Sequence, residues 1–185
     1  MKPIDSWGAR QPGDVGFIRR RDPFSLLVSE FLEELHEDYT GSFIPTHSFI
    51  IDYGELVIEA ALTFNSNSVA SIHPDVEYEN IDPADIQLWR IQRTQSQIDV
   101  ALRNFVVKYA GAGYGIADLL GFALEAFARH FGNPKARNPI LLSYVCSQGT
   151  LLFLREDAGE KWPLRVDLND CDPLELLNNF VANRT

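Results

Sequence analysis

The segment THSFIIDYGELVIEAAL, residues 46–62, restricts the fold of this chain more than any other part of the sequence. Two apolar stretches lie on either side of a Tyr-Gly-Glu turn, and glycine favours the left-handed backbone that a tight hairpin turn needs. A three-residue loop at positions 53–55 would place Glu59 diagonally opposite His47 on one face of the hairpin. A two-residue loop would put them on opposite faces. Pairing of these two side chains therefore requires an odd-length loop or a bulge.

Glu59 is the one charged residue in the apolar strand LVIEAAL, so the sequence predicts a carboxylate inside the core. A buried charge needs a partner, and a neighbouring imidazole would satisfy both groups. His47 opens the other strand of the hairpin, where an imidazole without a hydrogen-bond partner would be costly. Histidines at strand starts are more often structural than catalytic, so these residues alone leave both interpretations open.

The remaining pattern predicts an α+β fold in which a small antiparallel sheet packs against helices. Apolar spacing and turn residues predict the other elements, namely strands after Pro12-Gly13-Asp14 and near 86–91, loops from 65 to about 75, and helices starting at Asp22-Pro23, Gln95, Ile116 and Asp172-Pro173. The chain has 185 residues and shows neither an internal repeat nor a long linker. We therefore expect a single domain over residues 1–185.

The charge of the chain argues against nucleic acid as a partner. Its 26 acidic and 16 basic residues give a net charge of −10, which repels phosphate backbones. The run Arg19-Arg20-Arg21 is a local basic patch that could escape this average.

No apolar run predicts a transmembrane helix, and the N-terminus lacks the apolar stretch of a signal peptide. We expect a soluble cytoplasmic protein, with delivery outside by lysis or a phage-type route left open.

Cys146 is predicted to lie in the first turn of a buried helix that runs to about Arg155. Unpaired N–H groups at a helix start favour a thiolate and can hold a developing oxyanion. The alternative is a cysteine that is simply a small buried hydrophobe. Cys171 is the weaker candidate, because Asp170 and Asp172 flank it and their charges would raise its pKa. Two cysteines cannot form a disulfide framework and suit a reducing compartment.

Three other histidines are weaker candidates than His47. His36 and His130 lie near the C-terminal ends of predicted helices, and His73 lies in an acidic loop. The cysteines and histidines show no C-x-x-C or H-x-x-x-H spacing, so we predict neither a metal site nor a cofactor.

Several segments, in their order, resemble the NlpC/P60 branch of papain-like thiol enzymes. The matching text comprises Pro12–Phe17 (PGDVGF), His47–Gly54 (HSFIIDYG), Val57–Ala60 (VIEA) and the later Cys146-Ser147. In the common form the cysteine helix precedes the strands, whereas here it follows them. This order is similar to the circularly permuted subgroup, which includes the YiiX-like proteins and the lecithin:retinol acyltransferase relatives. YAGAGYGIAD at 109–118 is similar to a tyrosine-containing segment of the YiiX-like proteins.

The resemblance implies a hydrolase or acyltransferase with a Cys146–His47–Glu59 triad. Such enzymes attack an amide or ester bond through a thioester, so the expected substrate is a peptide, a cell-wall peptide or a lipid-like molecule. The alternative is an inactive binding module on the same fold. Two departures from the family text bear on the site. Ser48-Phe49 replaces the small hydrophobic residue and glycine that often follow the histidine, and the phenylalanine would narrow the site. Gln148 stands where related sequences often carry glutamate.

Overall fold

The computed structural model of the chain describes residues 1–62, 67–110, 146–160 and 171–183, with 112, 124, 127–129, 131–133 and 168. Its strands are β1 (Lys2–Ile4), β2 (Val15–Ile18), β3 (His47–Ile51), β4 (Leu56–Leu62), β5 (Asn67–Pro74) and β6 (Ile86–Arg90). Its helices are α1 (Pro23–Leu35), α2 (Val76–Glu79), α3 (Gln95–Tyr109), α4 (Cys146–Leu152) and α5 (Pro173–Ala182). Short 3-10 turns lie at Trp7–Ala9 and Pro83–Asp85.

The six strands form one antiparallel sheet in the order β1-β6-β2-β3-β4-β5, which confirms the predicted α+β class. Alternation along the strands sends side chains to two cores. Ile50 and Ile58 belong to the larger core, which also contains α3, α4 and α5 residues. Phe49 and Val57 belong to a smaller core that includes Tyr78 of α2.

The hairpin between β3 and β4 has the predicted odd-length loop. Ile51 pairs with Val57, and the Asp52 N–H donates to the Leu56 carbonyl at 2.8 Å. Gly54 has a φ of 66°, the left-handed conformation expected of the turn glycine. This register brings Glu59 to the face of the hairpin that carries Phe49 and His47, as predicted.

Both predicted Asp-Pro helix starts are present. The Asp22 carboxylate accepts from the Ser25 N–H at 3.0 Å, and the Asp172 carboxylate accepts from the Glu175 N–H at 2.8 Å. Each aspartate thereby satisfies a backbone donor in the first turn of its helix, and the following proline has no N–H to satisfy.

The prediction of loops over residues 65–75 is wrong for 67–74, which form strand β5 and pair with β4. Ser and Asn are common in loops, but strand pairing uses backbone groups, and a neighbouring strand supplied them here. The helix predicted from Ile116 to Phe131 lies mostly outside the described residues. The predicted cysteine helix is α-helical to Leu152 and continues as a π-helical turn, Phe153–Asp157.

Across the described part of the chain, no helix has the length and apolar character needed to cross a bilayer.

Candidate active site

The N-terminus of helix α4 is held against strand β3 by a chain of hydroxyl groups. The Thr150 hydroxyl donates to the Cys146 carbonyl at 3.1 Å and lies 2.9 Å from the Ser48 hydroxyl. Because the Thr150 hydrogen is used on Cys146, the Ser48 hydroxyl is the donor in the second bond. Ser48 directly follows His47, so the same contact brings the cysteine end of α4 next to that histidine.

Cys146 is the first residue of α4 and is 5% exposed. Burial by itself would raise the pKa of its thiol, but the charge of His47 and a hydrogen bond to it outweigh burial, and the pKa is lowered. The backbone N–H groups of Ser48 and Ser147 also bond the sulfur and favour the thiolate. The sulfur therefore has polar partners, which distinguishes it from a cysteine packed only among aliphatic groups.

His47 lies between this sulfur and the carboxylate of Glu59. Its Nε2 forms a short hydrogen bond to Glu59 Oε2, which leaves Nδ1 as the nitrogen for the sulfur. Burial lowers the pKa of the imidazole, but the charges of Cys146 and Glu59 and its bonds to both raise the pKa to about 9. The imidazole is consequently held as a cation beside the Glu59 carboxylate.

The position of His47 at the first residue of β3 allows this bridging. Cys146 belongs to the larger core on one face of the sheet, whereas Tyr78, which binds Glu59, belongs to the smaller core on the other. A side chain in the middle of a strand points to one face. A side chain at the end of a strand can reach groups from both, so the site forms where the sheet ends.

Two further residues complete the surroundings of Glu59. The Tyr78 hydroxyl donates to Glu59 Oε2 at 2.6 Å, and Arg20 donates to the Tyr78 oxygen at 3.1 Å. Burial would raise the pKa of Glu59, but the charge of His47 and the bonds from His47 and Tyr78, with the Arg20 charge, lower it to about 2.

Neither of these residues could be recognised in the sequence as part of the site. Tyr78 lies just after the predicted acidic loop, in a stretch with no predicted element, and Arg20 belongs to a run interpreted as a local basic patch. Arg19 and Arg21 of that run bind the Asp85 carboxylate at 2.5 and 2.7 Å. Each arginine of the run therefore has an acceptor within the protein, Asp85 for Arg19 and Arg21 and the Tyr78 oxygen for Arg20.

Phe49 packs away from the cysteine helix, contrary to the expectation that it would narrow the site. Its ring lies in the smaller core, with centroids 4.3 Å from Tyr78 and 6.2 Å from Trp7. It also covers Gly16 of β2, where an added Cβ would lie 2.1 Å from the Phe49 ring. Glycine at position 16 is what gives the phenylalanine room on that face.

Gln148 is fully buried, and its side-chain amide donates to the Leu168 carbonyl at 2.9 Å. This bond uses one of the two N–H hydrogens of the Gln148 amide within the fold.

Of the other three histidines, the structure describes His36 and His73. His36 Nε2 bonds Asp172 Oδ2 at 2.7 Å, linking the end of α1 to the start of α5. His73 lies in strand β5 and not in the predicted loop. His130 lies outside the described residues. Among the residues that the structure describes, no three His, Cys, Asp or Glu side chains are grouped so as to hold a metal ion.

Cys171 is completely buried, and its pKa is raised well above the usual value, first by burial and then by the charges of Asp172 and Glu175. The predicted rise of the Cys171 pKa by its acidic neighbours is confirmed for Asp172. Asp170 lies outside the described residues.

Comparisons with models of protein families, with curated proteins and with solved structures find no match to this chain. A function therefore has to be inferred from its own side chains. A thiol of lowered pKa, an imidazole bonded to it and a carboxylate behind the imidazole can together carry out nucleophilic attack with proton transfer.

Proposed function

We propose that this chain is a thiol hydrolase or acyltransferase that cleaves an amide or ester bond, with Cys146 as nucleophile, His47 as general base and acid, and Glu59 as the group that orients His47. The proposal is carried by one observation: the His47 imidazole bonds the Cys146 sulfur and the Glu59 carboxylate at the same time.

In the proposed reaction the Cys146 thiolate attacks the carbonyl carbon of the substrate. The tetrahedral intermediate collapses to a thioester, and His47 gives its proton to the leaving amine or alcohol. Water or another acceptor then attacks the thioester while His47 takes the proton of that acceptor. The thiolate leaves and the free acid or the transferred acyl product is released. Glu59 stays ionised throughout, in keeping with its lowered pKa.

We further propose that the fold is a circularly permuted NlpC/P60-like papain core. The order along the chain supports this, because the strand that supplies His47 comes first and the helix that begins with Cys146 comes later and packs against β3 and β4. Substrates on this proposal are peptides, cell-wall peptides or lipid-like molecules.

An inactive binding module on the same fold is the second candidate. The observation that favours it is the low exposure of Cys146, 5%, which leaves a substrate carbonyl little access to the sulfur. The two candidates differ in whether the thiol reacts as a thiolate at neutral pH.

Alkylation by iodoacetamide between pH 5 and pH 9 separates them, with each cysteine followed by mass spectrometry of its peptide. We expect Cys146 to react well below pH 8 and Cys171 to stay unmodified in the folded protein. Titration of Cys146 with a pKa of about 8.5, the value of a free thiol, would refute the enzyme. Mass spectrometry of the protein as purified would then identify an acyl group on Cys146, with Cys146→Ala as the control that cannot carry it.

A further inference from the structure

Tyr78 lies behind the proposed triad and binds the same Glu59 oxygen that His47 binds. Its hydroxyl donates to Glu59 Oε2 at 2.6 Å, while Arg20 Nη2 donates to the Tyr78 oxygen at 3.1 Å. Since Arg20 has no acceptor to offer, the Tyr78 hydrogen cannot point toward it. The arginine thereby directs the phenol to act as a donor to Glu59.

The tyrosine ring is fixed in place independently of this hydrogen bond. Tyr78 is 2% exposed, and its ring centroid lies 4.3 Å from Phe49 and 6.0 Å from Trp7. The guanidinium of Arg20 lies 5.7 Å from the ring centroid. Helix α2, which carries Tyr78, is tied to the hairpin by the bond from the Asp75 N–H to the Glu55 carbonyl at 2.9 Å. A donor held so firmly can define the position of a carboxylate oxygen.

Two cations act on the Glu59 carboxylate in this cluster, the His47 imidazolium and Arg20. The Arg20 charge acts on Glu59 directly. Buried charges are stable only when they are paired and hydrogen-bonded. Arg20 and Tyr78 thus supply the charge and the donor that let Glu59 remain ionised behind His47.

We propose that Tyr78 is a positioning residue of the thiol site: its hydroxyl, directed by Arg20, holds Glu59 in the orientation in which the carboxylate binds His47 and so sustains the reactive form of Cys146. This inference rests on the proposed function of the site. Tyr78 does not contact the sulfur and takes no part in bond making.

Tyr78→Phe tests the inference, because it removes the hydroxyl and keeps the ring. The measurement is the rate of Cys146 alkylation by iodoacetamide from pH 5 to pH 9, in the full chain, with folding checked by circular dichroism. We expect the acid limb of the profile to move up by about one pH unit, so that alkylation at pH 6 is about tenfold slower. Tyr39→Phe is the matched control, because the Tyr39 hydroxyl donates to the Phe43 carbonyl at 2.9 Å, outside the cluster.

Arg20→Met is a second test that keeps the tyrosine. It frees the phenol hydrogen to turn from Glu59, and we expect a shift in the same direction and about threefold slower alkylation at pH 6. An unchanged profile in both variants, or a shift to lower pH, would overturn the positioning role. An equal shift in Tyr39→Phe would do so as well.

The wild-type profile distinguishes failure of this inference from failure of the proposed function. Wild-type Cys146 that reacts at low pH, together with an unmoved Tyr78→Phe profile, rejects the role of Tyr78 and leaves the proposed enzyme in place. Wild-type Cys146 that titrates as a free thiol rejects the enzyme itself, and the positioning role falls with it.

Discussion

Cys146 and Cys171 are both buried and lie against the same serine, yet their surroundings shift the two thiol pKa values in opposite directions. The Ser147 hydroxyl donates to the Cys171 carbonyl at 2.6 Å, and the Cys171 thiol lies 3.7 Å from the Ser147 carbonyl. The pKa of Cys146 is lowered and that of Cys171 is raised. Burial acts on both thiols in the same direction, so it does not account for the difference.

The difference comes from what each sulfur is bonded to. The Cys171 thiol faces a carbonyl, to which only the neutral S–H can donate, and it has the acidic Asp172 and Glu175 nearby. The Cys146 sulfur faces His47 and two backbone N–H groups, which are donors and favour the charged form. A buried cysteine is therefore inert or reactive according to whether its neighbours accept or donate.

Replacement of His47 should have the largest effect on the difference between the pKa values of the Cys146 and Cys171 thiols. In His47→Gln the imidazolium is lost, burial then dominates, and we expect alkylation of Cys146 at pH 6 to slow by about 100-fold or more. The rate is measured by mass spectrometry of the Cys146 peptide.

His36→Gln is the matched control for this variant. His36 also bonds a carboxylate, Asp172 at 2.7 Å, but it does not contact Cys146. It should leave the alkylation profile of Cys146 unchanged. Equal slowing in both histidine variants would mean that the effect reflects the fold and not the bond from His47.

Glu59→Gln should have a smaller effect, about tenfold slower alkylation at pH 6, because the cation of His47 loses the carboxylate to which it is bonded. The folded pKa of Glu59, about 2, lies below its ordinary value of 4.5. Its contribution to stability is therefore complete above pH 4.5 and is lost as the pH falls through about 2. Urea denaturation should show the wild-type advantage in unfolding free energy over Glu59→Gln shrinking across that range.

Asp85→Asn serves as the control for Glu59→Gln, since Asp85 is a buried carboxylate that binds Arg19 and Arg21. It should leave Cys146 alkylation unaltered. For Glu59→Gln itself, the wild-type advantage in unfolding free energy should shrink as the pH falls. An advantage that grows on acidification would contradict the ionised state assigned to Glu59.

Cys171→Ala should have the smallest effect on the site. We expect the Cys146 profile to be unchanged and the free energy of unfolding to fall by about 1 kcal/mol, from the loss of a buried sulfur. Alkylation and urea denaturation of the same sample check both statements. Slower labelling of Cys146 would show instead that Cys171 supports the thiol site.

Much of the local structure could be predicted from the sequence. The Tyr-Gly-Glu loop fixed the register of the hairpin, because the side-chain period of a strand is two and a change of one residue would have reversed its faces. The two Asp-Pro pairs marked helix starts through capping. Strand β5 could not be predicted, because its Ser and Asn residues are typical of loops and its pairing depends on β4.

Within the site, the isolated charge of Glu59 in an apolar strand pointed to a buried partner, and the hairpin geometry pointed to His47. The sequence by itself determined this pair, because both residues belong to one local hairpin. Only the tertiary structure decided that α4 brings Cys146 to His47, and that Tyr78 and Arg20 stand behind Glu59. Those contacts join elements distant in the chain, and the packing of the helices on the sheet is what brings them within hydrogen-bonding distance.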